Sequence, residues 1–409
     1  FPYEMPDFAV GCIFKDSQQN IWFGSDNKGF AVGCHYRDQF NSNRFLTSFF
    51  SDKTVISLSG NGDGDLFVST GGDGLFHYGH KARELAPVDI SALFPKDLPG
   101  DQIANTVFVD SRGDVWVLSQ QHLSAFRCSF SKGRLTPKDT FFLPYPVSIT
   151  EDGDGAVWIT AGSKDIYRIR PGERTATPVE VFPDGYTWIT GVLPAGEGKL
   201  IVCAFMSPLL LLDTETGETV PLETGPNDYE DCLVRYVFNP SAIYRDSDGD
   251  LWIATIANGL LRYSAKQHRL KSVPGAPCSD IVDIQEDNQG DIWVSSLYGL
   301  GKYVRTSDAF TVYTESDGIG GNEFSFKASC KLPDGTLVFG GSHGLTVFNP
   351  MDVPQPRTVP FAFEELKVHN TRVSPGEDAC IGKRLSLKPE VVLRRDQNSF
   401  GVSFAALDY

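Results

Sequence analysis

The sequence has 409 residues, with 36 Lys and Arg against 52 Asp and Glu, a formal net charge of −16. Such an acidic surface repels phosphate backbones and acidic membrane surfaces, which argues against a nucleic-acid partner. The longest apolar runs, such as 209–212, fall far short of the roughly 18 residues of a spanning helix, so no direct membrane insertion is expected of this segment. Eight cysteines without a C-x-x-C pair exclude a dense disulfide scaffold, zinc ribbons and thioredoxin-like chemistry. Cys12, Cys203 and Cys330 lie in alternating apolar runs and read as small buried side chains. The 29 Phe, 40 Gly and 25 Pro point to sheets with frequent turns. The chain opens at Phe1 in ordinary sequence without a signal peptide, and reads as a mature or excised segment.

One phrase recurs: Asp, two residues, Gly, two residues, Trp, then an apolar strand and a Gly-Leu turn. In chain order it begins with Asp16 and Trp22, leading to Gly29-Phe30, with Gln19 in the Gly slot. Asn61, Gly64 and Phe67 lead to Gly74-Leu75; Asp110, Gly113 and Trp116 to Leu123; Asp152, Gly155 and Trp158 to Ile166-Tyr167. A weak copy has only Gly198 and Ile201. Asp246, Gly249 and Trp252 lead to Gly259-Leu260, and Asp287, Gly290 and Trp293 to Gly299-Leu300. The last has Gly335 and Val338, then Gly344-Leu345 and Phe348.

The anchors at 22, 67, 116, 158, 201, 252, 293 and 338 recur every 41 to 51 residues, the length of a four-stranded propeller blade. The residues before each Asp alternate, as in Val282, Ile284 and Glu286, which is a strand with one buried face. Asp caps the turn with its own side chain, Gly three residues on accepts a positive φ, and Trp packs between neighbouring sheets. The fold class is therefore all-β: a β-propeller of four-stranded blades over 1–350, followed by the beginning of a β-sandwich. Eight copies allow either an eight-bladed ring or a seven-bladed ring plus one extra repeat, with 1–50 as the last blade of an upstream propeller. A Pro-rich linker spans 351–360. Over 361–409, strands are expected at Phe361–Phe363, Leu385–Leu387, Val391–Leu393 and Phe400–Phe404, an incomplete sandwich.

The phrase resembles the two-component-regulator propeller repeat. It is carried by Asp-x-x-Gly-Asp-(Leu/Ile)-Trp-(Ile/Val) at 246–253 and 287–294, and by Gly321-Asn322-Glu323-Phe324. Phe339-Gly-Gly-Ser-His-Gly344-Leu345 and Phe348-Asn-Pro350 follow. The segment from Pro360 to Tyr409, ending Asn398-Ser-Phe-Gly-Val-Ser-Phe404-Ala-Ala-Leu-Asp-Tyr409, resembles the opening of that family's YYY domain. The resemblance implies the periplasmic sensor region of a Bacteroides-type hybrid two-component system. It implies two seven-bladed propellers, a YYY domain, a membrane helix and a histidine kinase. This chain departs from that pattern in carrying eight copies and no kinase, so no enzyme activity is expected of it. The implied function is to sense glycan fragments, with a homodimer through the C-terminal domain.

Catalytic and metal motifs fare poorly against turn chemistry. Gly340-Gly-Ser342-His-Gly344 matches G-x-S-x-G, but falls on a β–β turn of the repeat where a strand-to-helix turn is needed. Asn61-Gly-Asp63-Gly-Asp65 and Asp246-Ser-Asp248-Gly-Asp250 look calcium-like, yet lack the Gly and Glu at the sixth and twelfth positions of an EF-hand loop. No catalytic residue, metal or cofactor is expected. A basic group at Arg262, His268, Arg269 and Lys271 reads as solvated surface.

In a propeller, the loops between strands two and three and between blades share one face, and binding residues sit on such loops. The longer insertions carry Tyr186 and Trp188, then Tyr229, Arg235 and Tyr236, then Asn322 and Glu323; Phe205, Tyr298 and His343 lie on loops of the same face. Aromatic platforms with polar neighbours suit a sugar, so these ten residues are the expected oligosaccharide contacts. The acidic balance favours neutral or cationic ligands. The alternatives are a propeller polysaccharide lyase or glycosidase, and a protein-docking scaffold.

Overall fold

A computed structural model describes residues 9–16, 20–33, 39–94, 103–182, 188–222, 239–353, 361–376, 380–387 and 390–406. It divides into two compact units, Tyr36–Val353 and Phe1–His35 with Pro354–Tyr409.

Among the described residues, the larger unit contains seven antiparallel sheets. The first six are four-stranded, beginning with Val55–Gly60, Leu66–Thr70, Leu75–Gly79 and Glu84–Val88; the seventh has three strands, Phe324–Lys331, Leu337–Gly341 and Gly344–Phe348. The first strands of successive blades touch one another in sequence, and that of the seventh touches that of the first, so the ring closes. Of the two arrangements left open by eight copies, the seven-bladed ring is the one formed. The copy at Trp22 builds a separate three-stranded sheet, Cys12–Lys15, Ile21–Gly24 and Phe30–Gly33, in the other unit.

The repeat phrase has a direct physical reading. Asp246 Oδ1 accepts from the backbone N–H groups of Asp248 (3.0 Å) and Asp250 (2.9 Å), and the Gly249 N–H returns to the Asp246 carbonyl (3.0 Å). Gly249 sits at φ +90°, where a side chain would be strained. The other carboxylate oxygen, Oδ2, accepts from the Trp252 indole N–H at 2.7 Å. The same indole bond ties Trp116 to Asp110 (3.0 Å), Trp158 to Asp152 (2.7 Å) and Trp293 to Asp287 (2.9 Å). These four Trp side chains are fully buried. A buried indole N–H left without its acceptor costs about 1–3 kcal/mol, which explains why Asp and Trp occur together. Where the anchor has no N–H, the acid is absent: Phe67 follows Asn61, Ile201 follows Ala195, and Val338 follows Leu332.

Each anchor packs onto the next blade. Trp158 lies among Ile189, Val192 and Leu200; Trp252 among Ile281, Ile284 and Ile292; Val338 among Val55, Leu66 and Val68, which brings the ring back to its start. The third strand adds a cation opposite each indole. Arg127, Arg168, Arg262 and Lys302 are register partners of Trp116, Trp158, Trp252 and Trp293 and lie over their rings at 5.1–6.0 Å. Arg262 also pairs with Asp250 (2.7 Å), and His268 contacts the Tyr263 hydroxyl (3.2 Å), so these two of the basic group serve the blade.

The seventh blade is completed from the N-terminal side. Asn41 bridges to Val347, and the Ser42 N–H donates to the Val347 carbonyl at 2.8 Å. The helix Arg44–Phe50 follows, capped by Asn43 Oδ1, which accepts from the Leu46 N–H at 3.2 Å. Phe40 is buried against Trp293, Tyr313 and Phe348.

In the second unit, Phe361–Val368 pairs with Phe400–Ala406 and with Thr371–Arg372. The strands expected at 385–387 and 391–393 are not formed. Leu385–Leu387 is a 3-10 turn, and Val391 makes only an isolated bridge to Ile381. Leu385 and Leu393 instead pack on a small core of Leu366, Val368, Cys380 and Ile381, which a turn satisfies without a ladder.

Candidate functional site

The first strand of each blade starts at the face that carries the two-to-three and inter-blade loops. On this face, at the propeller axis, lies a cavity of about 720 Å³ lined by strand starts from several blades: Ser57, Thr106, Val147, Thr190, Ser241 and Lys327 among them. Asn105 and Gln120 stand at its edge, with Asn105 Oδ1 accepting from the Gln120 N–H at 2.9 Å.

Small hydroxyl side chains hold this axis together from blade to blade. Ser57 Oγ accepts from the Val107 N–H (3.0 Å), Ser148 Oγ donates to the Thr190 carbonyl (3.4 Å), Ser241 Oγ donates to the Ile281 carbonyl (2.5 Å), and Ser329 Oγ donates to Asp283 Oδ2 (2.7 Å).

The seventh blade departs from this pattern. In five of the other blades the first strand carries a one-residue bulge near its start, as between Pro240 and Ala242. In the seventh, Phe324 pairs with Gly341 and Ser329 with Phe339, so five steps on one strand oppose two on its partner. The extra residues swell into the cavity as Ser325, Phe326 and Lys327. Lys327 adopts φ +53°, a backbone cost tolerated at sites that aim a side chain. Its ammonium donates to the Thr190 carbonyl of the fourth blade, across the axis.

Burial pushes the Lys327 amine down to about 8, opposed by the charge of Asp283 and, less, by Cys203. Burial pushes the Asp283 carboxyl up to about 6, against the Ser329 hydrogen bond, the Ile284 N–H and the Lys327 charge. Burial also raises the Cys203 thiol to about 12, which leaves it an inert packing group. Among the described residues, Lys327 forms no ion pair within 4.0 Å.

Beside the cavity stands an aromatic rim. Tyr145 and Trp188 lie two residues before the lining residues Val147 and Thr190. Their rings meet edge to face at 5.7 Å and 70°, and the Phe205 N–H donates to the Trp188 carbonyl at 2.9 Å. All three rings are 37–44% exposed. Gly162 lies beneath the indole, where a Cβ would come within 3.1 Å of it.

The ten residues expected from sequence separate into three groups. Trp188 and Phe205 are on the rim. Tyr298, Asn322, Glu323 and His343 lie on loops of the sixth and seventh blades. Asn322 is occupied in loop structure, its Oδ1 accepting from the Glu315 N–H (2.9 Å) and its carbonyl from the Gly299 N–H (2.7 Å). The Glu323 carbonyl accepts from the Ser342 N–H (3.0 Å), and His343 Nδ1 contacts Ser342 Oγ (3.0 Å). Tyr298 is 63% exposed. Tyr186, Tyr229, Arg235 and Tyr236 lie outside the described residues. None of the six described residues lines the axial cavity. Its own residues, above all Lys327 and Thr190, were not anticipated. The available signal was a Lys in the first strand of the last copy, where other copies place small or apolar residues.

The G-x-S-x-G match lies on the turn between Leu337–Gly341 and Gly344–Phe348, both strands, and so lacks the strand-to-helix geometry of a nucleophile elbow. The oxygens of Asn61 and Asp246 in the calcium-like loops accept from their own turn N–H groups and, for Asp246, the indole.

Comparison with known proteins agrees with this architecture. The two-component regulator propeller profile matches residues 236–257, the start of the fifth blade. A curated relative, histidine kinase P4 of Formosa agariphila, is 23% identical over 396 residues, covering 91% of this chain and 28% of the kinase. The extracellular domain of a hybrid two-component system of B. thetaiotaomicron superposes with TM-score 0.59 at 18% identity, over 97% of this chain and 54% of that one. Virginiamycin B lyase of Staphylococcus aureus superposes with TM-score 0.55 at 16% identity, over 73% of this chain and 94% of the lyase. The chain thus spans about a quarter of the curated relative and half of the matched extracellular domain. It is a β-propeller that carries a two-component-regulator repeat at 236–257 and shares the fold of the extracellular region of a hybrid two-component system.

Proposed function

We propose that this chain is the extracytoplasmic sensor region of a hybrid two-component system and that it binds a glycan-derived oligosaccharide at the axial cavity. The observation that carries this reading is the cavity with its adjoining exposed rings of Tyr145, Trp188 and Phe205. Aromatic faces stack on the apolar faces of sugars, while hydroxyl and amide groups such as Thr106, Asn105 and Gln120 match sugar hydroxyls. Signal transfer would run through the C-terminal sheet, as the start of a YYY domain, to a membrane-linked kinase, in a homodimer formed by that domain. The site would lie in the periplasm, where oligosaccharides released from polysaccharides are available. The chain itself binds without turnover.

The test is thermal unfolding with a panel of neutral, uronic and sulfated oligosaccharides. A ligand at about 100 times its dissociation constant adds roughly 2.7 kcal/mol to the stability of the bound state. A shift for one glycan class, lost in Trp188→Ala and with ligand recovered intact, supports the sensor. Recovery of cleaved ligand moves the reading to a lyase or glycosidase. No shift with any sugar overturns oligosaccharide binding by this chain.

A further inference from the structure

We infer that the axial cavity selects an acidic oligosaccharide, whose anionic group pairs with Lys327 while a neighbouring sugar ring stacks on the Tyr145–Trp188 rim. This rests on the oligosaccharide reading above and adds the ligand's charge class to it.

Three observations converge on Lys327. First, its position is built. The enlarged bulge between Phe324 and Ser329 has no counterpart of that size in the other blades and turns Lys327 into the cavity at a positive φ.

Second, its charge is only partly compensated. An ammonium carries three N–H donors, and the protein acceptor it meets is the neutral carbonyl of Thr190. The carboxylate that acts on it, Asp283, already accepts from Ser329 Oγ and from the Ile284 N–H. Asp283 offsets only part of the cost of this half-buried cation, since the two form no ion pair within 4.0 Å, and a ligand anion supplies a direct partner through a charge-assisted bond.

Third, the ammonium reaches the strand that begins beside the stacking surface. Lys327 reaches the carbonyl of Thr190, and Thr190 follows Trp188 by two residues along the chain. The anion site and the aromatic rim are therefore neighbouring subsites. The chain's overall charge of −16 does not oppose this, because screening confines distant surface charges to a range of about 8–10 Å at ordinary ionic strength.

The groups facing Lys327 are Asp283 from the sixth blade, Cys203 from the fourth, and the Thr190 carbonyl. Cys203 stays neutral below about pH 12 and Asp283 is ionised above about pH 6. Between pH 7 and 9 the titrating partner is thus Lys327 itself, and an anion bound to it holds its proton. Binding then takes up protons near pH 8–9 and weakens as the pH rises.

The experiment is titration calorimetry of the whole chain with matched pairs. One pair is a galacturonic acid tetrasaccharide and its carboxyl-reduced galactose counterpart. The other is a sulfated galactan tetrasaccharide and its desulfated form. The expected result is that one acidic member binds at least tenfold more tightly than its neutral match, with proton uptake at pH 8.5. Lys327→Met should abolish the preference and the uptake, while Lys327→Arg should retain the preference. The unfolding midpoint of each variant verifies that the ring is intact. The winning pair tells carboxylate from sulfate. Equal binding of the two members of both pairs, or acidic binding unchanged in Lys327→Met, overturns the charge assignment and leaves the oligosaccharide reading standing. Absence of binding by all four sugars overturns both.

Discussion

The sheet of Cys12–Gly33 and the blades of the ring use the same local chemistry in different surroundings. Asp16 accepts from the Trp22 indole at 2.8 Å and from the Asn20 N–H at 2.9 Å, as its equivalents do in the ring. The side chains around that turn are nevertheless open: Ile13, Phe14 and Phe30 are 63–69% exposed. In the ring, every residue of Leu251–Thr255 and Ile292–Ser296 is buried. The turn is thus written within each repeat, and the burial is supplied by neighbouring repeats. A single blade carries the instructions for its own hairpin without the means of hiding it from water.

Paired truncations break or sharpen this contrast. Trp252→Ala should cost about 3–5 kcal/mol, since it removes a fully buried ring from the fifth-to-sixth blade interface and one of the donors to the Asp246 carboxylate. Trp22→Ala should change the unfolding of the ring by less than about 0.5 kcal/mol. Guanidinium chloride titration followed by tryptophan fluorescence measures both, and equal losses would mean that the two sheets unfold as one structure.

The next effect tests the seams themselves. Arg305 of the sixth blade reaches Asp246 (2.9 Å) and Asp248 (2.7 Å) of the fifth and Glu286 (2.9 Å) of its own. Asp246 is fully buried there, so Arg305→Ala should cost about 3 kcal/mol. Arg170→Ala breaks an exposed pair with Glu215 (3.0 Å) between the third and fourth blades and should cost less than about 1 kcal/mol. A reversal of that order in denaturant midpoints would show that burial does not set the strength of the seams.

The last test is the pH profile of the ring. Asp283 has its folded value raised to about 6 from an ordinary 3.8, so the folded state binds more protons between those values and stability falls as the pH rises through that window. Lys327 has its folded value lowered to about 8 from an ordinary 10.5, so the unfolded state binds more protons there and stability rises from pH 8 to 10.5. These two contributions alone leave a minimum between pH 6 and 8; above pH 9 the buried thiols of Cys128, Cys203 and Cys330, raised to about 12 from an ordinary 9.0, oppose the rise. Asp283→Asn should remove the acid-side slope and Lys327→Met the alkaline one. A variant whose profile runs parallel to the wild type through its own window would contradict that assignment.

The blades were legible because their rule is local: Asp, Gly and Trp at fixed intervals make a turn and a buried bond within seven residues. The blade count was not, because the copy at Asp16 carries the same local rule as those in the ring. What separates them is the meeting of residues 41–42 with Val347, a backbone contact without a side-chain signature. The strands expected at 385–387 and 391–393 failed for a related reason. Alternating apolar residues there pack onto Leu366 and Ile381 from a turn, and a pattern of burial does not specify a ladder partner. For the site, the loop rule found Trp188 and Phe205 on the rim. It missed Lys327 because that residue enters the cavity from within a strand, through a bulge whose size depends on pairing with Phe339 and Gly341.

The closure at Val347 also has a consequence in time. Ser42 meets a partner 305 residues further along the chain. At about 5–20 residues per second, synthesis separates the two by roughly 15–60 s. Until the last two blades are made Phe40 has nothing to settle on, since its ring partners Trp293, Tyr313 and Phe348 all belong to them. The first part of the ring to be made is therefore the last to find its place. A chain interrupted before the seventh blade presents that aromatic segment to whatever else is nearby.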